Sequence, residues 1–145
     1  MGEFALMLLA QIVGALVASL LSAAVLIWRA RKLKNWPIPF RSAYVVAAIA
    51  AVAGIISANV IALIISFASD NVRLLESVGR LFGLVVWWFV HSRALMKLAG
   101  TAVPLTVKEA RSISASVFAY LFGIVFALAV AGMLILLAVS GMRGH

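Results

Sequence analysis

Few residues in this chain could do chemistry, and most of them lie on one stretch. Residues 76–97 form the only membrane-length apolar segment that carries full charges and a histidine inside it: Glu76, Arg80, His91, Arg93 and Lys97. Glu76 and Arg80 stand four apart with the acid first, a spacing that lets them pair on one helix face. With the middle of each apolar stretch set at the bilayer midplane and a rise of ~1.5 Å per residue, Gln11, Asn59 and Arg80 fall in the same half of the membrane, roughly 5–11 Å from the middle, and Glu76 lies further out. Polar groups at that depth seek partners, and ionisable ones inside spans are candidate functional groups. Gln11, Asn59, Glu76 and Arg80 are therefore a candidate polar binding cluster. The plainer alternative is that Arg80 snorkels toward water and pairs only with Glu76.

His91 falls in the other half, level with Ser19, Ser22, Ser116 and Tyr120. It could serve as a proton relay or a haem ligand. It could equally be a neutral histidine bonded to a hydroxyl on a neighbouring helix. Two-histidine haem ligation needs a second buried histidine, and His145 stands at the wrong end, so no cofactor is expected. Enzymatic constellations are missing from the sequence. There is no HExxH, no GxSxG, no glycine-rich phosphate loop and no cysteine. The acids Glu3, Asp70 and Glu109 sit at edges. The expectation is a protein that is not an enzyme and holds no metal.

These residues must be positioned by membrane helices. The chain has 145 residues, 66% of them hydrophobic, with a mean hydropathy of +1.21, well beyond the roughly half apolar content of a soluble domain. The expected fold is all-α: a single four-span membrane domain, with spans near 4–28, 42–69, 72–97 and 110–140, packed as an antiparallel up-down bundle. The first helix should run on through Arg29, Arg31, Lys32 and Lys34 until Asn35 and Pro37 stop it. Ser69-Asp70-Asn71 reads as a tight turn. Thr106 and Glu109 read as a capping box that starts the fourth helix. Helices one and four exceed the ~30 Å hydrocarbon core, and should project on the side where their charges lie.

The net charge of +8 does not indicate nucleic acid, because the basic residues flank apolar spans, where they set orientation and meet anionic headgroups. The linkers 29–41 and 98–109, with the helix end beside the second, hold nine basic residues (Arg29, Arg31, Lys32, Lys34, Arg41, Arg93, Lys97, Lys108, Arg111) against three elsewhere. Both linkers are thus expected in the cytoplasm, and both termini outside, as in a bacterial inner membrane. Trp36, Phe40 and Tyr44, with Trp28, suit a headgroup-level aromatic belt.

Small residues recur at helical spacing on every span, including Gly79 and Gly83 in GxxxG register and a long line through Ala115, Ala119, Gly123, Ala127 and Ala131. Such lines let helices approach closely in lipid. Trp87 and Trp88, at the centre of the third span, need acceptors for their N–H groups. One of them is expected to pack into a trough made by Gly123 and Ala127. In size alone the chain is similar to small four-span multidrug transporters. Their mid-membrane glutamate in the first span has no counterpart, since Glu3 stands at the very end. The functional expectation is a subunit or oligomer-forming protein that binds other transmembrane helices. The alternatives are a small homo-oligomeric channel or transporter using the polar cluster, and a haem-bearing electron-transfer subunit.

The orientation has a direct check. A cysteine placed at Ser69 should react with an impermeant thiol reagent in intact cells, and one placed at Lys34 should not. Labelling at 34 without 69 reverses the topology.

Overall fold

In the computed structural model the described residues are 2–67, 72–99, 103 and 105–142. They form four helices: α1 (Gly2–Lys34), α2 (Phe40–Ser66), α3 (Val72–Ala99) and α4 (Val107–Met142). All four are long and apolar enough to cross a membrane. The expected turn at Ser69-Asp70-Asn71 lies outside the described residues.

Local chemistry sets the helix ends. Asn35 takes a left-handed conformation, φ 51°, which asparagine tolerates better than most residues. Its N–H donates to the Arg31 carbonyl at 3.0 Å, and the Trp36 N–H donates to the Ala30 carbonyl at 3.3 Å. This is an asparagine-terminated helix followed two residues later by Pro37, which cannot continue it. At the start of α4 the capping box is formed. The Glu109 N–H donates to Thr106 Oγ1 at 3.2 Å, and the Thr106 N–H donates to Glu109 Oε2 at 2.9 Å. Lys34 also ion-pairs with Glu109, so the end of α1 is tied to the start of α4.

Packing follows a ring. α2 contacts α1 and α3, α4 contacts α3 and α1, and the diagonal pairs do not meet among the described residues. The tightest seam is α2–α3, and glycine is the cause. A Cβ on Gly83 would lie 2.6 Å from the Gly54 carbonyl oxygen. One on Gly54 would lie 2.9 Å from the Gly83 oxygen, and one on Gly79 would lie 2.7 Å from the Ala58 oxygen. The backbones themselves touch, which is how helices gain contact in lipid where no hydrophobic force drives them together.

The core is confined to the end of the bundle where the two linkers lie, here called the linker end. Leu26, Leu95, Ile113 and Val117 are buried there, one or more from each of three helices, with Ala43, Val46 and Ala50 from α2. Trp36 is 8% exposed and belongs to this core. It corrects the aromatic-belt expectation: the reversal at Asn35 turns the indole back into the bundle. Tyr44 also turns inward enough for its hydroxyl to donate to the Leu16 carbonyl at 3.3 Å. Trp28 is half-exposed and meets Tyr120 edge-on, with Lys32 and Arg29 against its ring.

Away from the linker end α4 parts from the other helices. From Phe118 to Leu136, α4 is exposed apart from Leu121 and Ile124, which are half-buried. A Cβ on Gly123 would meet nothing within 4 Å. This overturns the expected trough: Gly123 and Ala127 face neither tryptophan, because α4 has left α3 before those residues are reached. Trp87 packs instead against Phe118, ring centroids 5.9 Å apart, and stacks on His91 at 4.9 Å. Trp88 donates from Nε1 to the Arg111 carbonyl at 3.2 Å. Its ring leans toward the basic linker end, away from the midplane assumed from its place in the span.

The seam and the stripe give opposite expectations for substitution. Gly83→Leu must force two backbones apart, and should cost ~1–3 kcal/mol, as overpacking does. Gly14→Ala and Gly123→Ala, where the space is open, should be neutral or slightly stabilising, since alanine is the better helix former. Unfolding titrations in mixed micelles distinguish the two. Equal losses at Gly83 and Gly123 would contradict the seam.

Candidate functional site

The site is a groove that the parting of the helices creates. α2 forms its floor, and α1 and α3 form its walls. Its deeper part, about 480 Å³, is lined by small residues such as Ala15, Ala18, Ala51 and Gly54, with Leu84, Trp87 and Leu121 closing it toward the core. Its shallower part, also about 480 Å³, is lined by Gln11, Asn59, Glu76 and Arg80 among apolar neighbours. The two parts share Ile55, Ala58 and Arg80, so they adjoin along the bundle.

The four residues of the candidate cluster all line the shallower part. Asn59 Nδ2 donates to Gln11 Oε1 at 3.0 Å and to the Ile55 carbonyl at 2.9 Å. Arg80 Nη2 donates to Glu76 Oε2 at 3.0 Å. The side chains of this ion pair are 77% and 58% exposed. It is an i,i+4 pair at the groove rim, with Arg80 reaching back to Glu76 while its stem lines the groove; among the described residues no hydrogen bond joins this pair to Gln11 or Asn59, and the two pairs share the groove lining alone. The sequence reason for this convergence is the seam. Gly79 and Gly83 bring α3 onto α2, and Arg80, adjacent to that face, is set at the lip beside Asn59.

His91 is elsewhere, in the linker-end core, and is fully buried. Its Nδ1 lies 2.8 Å from Ser114 Oγ, and its Nε2 has no partner. Depth alone brings Ser116 and Tyr120 level with it, yet neither is its partner. Ser116 receives Arg29 Nε at 3.1 Å, and Tyr120 packs on Trp28. Ser114 is the residue that depth-matching misses. Its signal is periodicity: Ala110, Ile113, Ser114 and Val117 recur on one helical face, and all four are buried. Ser22 is a second buried polar residue. Its hydroxyl makes no hydrogen bond, whereas Ser19 donates to the Ala15 carbonyl at 2.7 Å.

Chemically, the groove offers an apolar trough with hydrogen-bonding and oppositely charged groups at its outer lip. Among the described residues, no group of three or more histidine, cysteine or acidic side chains converges as a metal site. Comparison with protein-family models, with curated proteins and with solved structures gave no match.

The polar bonds separate by substitution. A double-mutant cycle with Gln11→Leu and Asn59→Leu should give a coupling of ~0.6 kcal/mol, the usual size between membrane helices. A coupling of zero would dissolve the contact. Ser114→Ala strips His91 of its partner and should cost ~1–3 kcal/mol, while Ser22→Ala removes a buried hydroxyl with no partner and should be neutral or stabilising. Denaturation of the two variants in one detergent checks the sign of each.

Proposed function

We propose that this chain is a non-enzymatic membrane protein that acts as a subunit of a larger complex or as an oligomer of itself, binding other helices along α4. The observation that carries this reading is the bare outer length of α4. Residues 125–136 are all exposed, and both Gly123 and Gly132 have open space before them. Within the same chain, glycine and alanine lines on α2 and α3 seat a neighbouring backbone. The line Ala119, Gly123, Ala127, Ala131 has the same composition and no neighbour among the described residues. Lipid tails would fill such a line poorly, and close helix packing would fill it well.

The reading includes an antiparallel up-down arrangement with the linkers in the cytoplasm. In its favour, Gly54 meets Gly83 while Ala58 meets Gly79, and Lys34 meets Glu109 while Arg29 meets Ser116. Residue numbers rise on one helix as they fall on its neighbour. The nine flanking basic residues gather at the linker end, several of them against aromatic faces. Arg93 lies 5.3 Å from the Phe89 centroid, and Arg111 lies 5.5 Å from that of Trp88. Cationic side chains there suit anionic headgroups.

A small homo-oligomeric carrier is the second reading, and one observation favours it. The groove runs along α1, α2 and α3 and carries hydrogen-bonding and charged side chains, Gln11, Asn59, Glu76 and Arg80, at one end.

Gentle detergent extraction and native mass spectrometry test the first reading. The expected mass is a multiple of 15.4 kDa or a complex with other chains, and Gly123→Leu should shift it to the monomer without lowering monomer stability. A monomer alone in the unsubstituted protein refutes it. Solute flux in liposomes tests the second.

A further inference from the structure

The groove has an occupant that its own chemistry describes. We propose that it holds one phospholipid with a primary-amine headgroup, an ethanolamine phospholipid, taken from the leaflet at the α2–α3 end. This does not depend on the assembly surface, which lies on the outer length of α4.

Charge order is the first argument. Glu76 precedes Arg80 by one turn of α3, so its Cα stands ~6 Å nearer the start of α3 than that of Arg80, and the guanidinium reaches back to touch the carboxylate from below, at 3.0 Å. In an ethanolamine headgroup the phosphate lies deeper and the ammonium lies further out. The groove lip presents the complementary sequence: guanidinium below, carboxylate above. Arg80 uses only Nη2 on Glu76, and a guanidinium has five N–H donors in a fork that fits phosphate. Glu76 Oε1 remains to accept from an ammonium. A glycerol headgroup carries the same phosphate for Arg80 and offers Glu76 only neutral hydroxyls in place of an ammonium. A choline headgroup carries no N–H to donate to the carboxylate.

Length is the second argument. From Gln11, level with the lip, to Ser22 at the closed end, α1 advances eleven residues, or ~16 Å. One leaflet of hydrocarbon is ~15 Å thick. Starting at the depth of Gln11 and Arg80, an apolar trough of that length runs past the bilayer midplane, long enough to take most of an acyl chain, and its deeper part, about 480 Å³, is in the range of small-ligand sites. At the lip, Gln11 Oε1 is taken by Asn59, which leaves its Nε2 to donate to an ester carbonyl just below the phosphate. A second protein helix fits worse, because its apolar side chains would desolvate the Glu76–Arg80 pair without giving either charge a new partner.

The purified, delipidated full chain is titrated in mixed micelles with dioleoyl phosphatidylethanolamine, phosphatidylcholine or phosphatidylglycerol, and bound lipid is counted by native mass spectrometry. The expected result is one retained phosphatidylethanolamine per chain, in preference to the other two. Arg80→Gln should lower retention of every phospholipid about tenfold, the loss of one charge-assisted contact. Glu76→Gln should erase the preference for ethanolamine over choline while leaving phosphate-dependent retention. Both residues are exposed, so neither change should alter helical content or melting. Ala18→Phe, which fills the trough from an exposed position, should exclude the lipid while Gly123→Leu leaves it in place. Equal retention of the three lipids by the unsubstituted protein overturns the proposal, as does unchanged retention in Arg80→Gln. A dimer mass that excludes lipid also overturns it, and gives the groove to a second copy.

Discussion

Backbone contact between α2 and α3 is the constraint from which the other features follow. Gly54, Gly79 and Gly83 leave no room for a Cβ between the two helices. In water such a seam would be one contribution among many, because burial of apolar surface would dominate. In a bilayer the tails are as apolar as leucine, so close van der Waals approach and interhelical hydrogen bonds must hold helices together. The seam fixes which face of α3 turns toward α2, and therefore sets Arg80 and Glu76 at the lip of a groove rather than in open lipid. It also fixes the register that carries Trp87 and His91 into the linker-end core.

The bundle is consequently two unlike halves. At the linker end four helices converge on Leu26, Leu95, Ile113 and Val117, with His91 bonded to Ser114 inside them. Polar groups there are short of partners: Ser22 Oγ and His91 Nε2 make no hydrogen bond. At the opposite end α2 and α3 stay together while α4 departs. The first half is closed by caps and an ion pair, since Glu109 serves both the start of α4 and Lys34 at the end of α1. The second half is open, and it holds the groove and the bare face of α4.

Amino-acid types alone determined the elements. Four long apolar runs make four helices long and apolar enough to cross a membrane, because unpaired backbone groups are too costly in hydrocarbon for any other local structure. Asn35 with Pro37, and Thr106 with Glu109, set helix ends for reasons internal to a few residues, and these ends are found where the sequence puts them. The Glu76–Arg80 pair is likewise local, four residues apart on one helix. The tertiary structure alone decided which small-residue line is used. Gly79 and Gly83 on α3 meet α2, while the longer line on α4 is exposed and its Gly123 meets nothing among the described residues, although their compositions are alike. Composition tells that a face can receive a backbone and cannot tell which backbone arrives. Depth-counting failed in the same way for Trp88 and for Ser114. A side chain several ångströms long reaches past its own level, so Trp88 found the Arg111 carbonyl and His91 found a serine that only the buried face of α4 could supply. Trp36 turned inward because a single left-handed residue before it reversed the chain, a geometry that its aromatic character alone does not foretell.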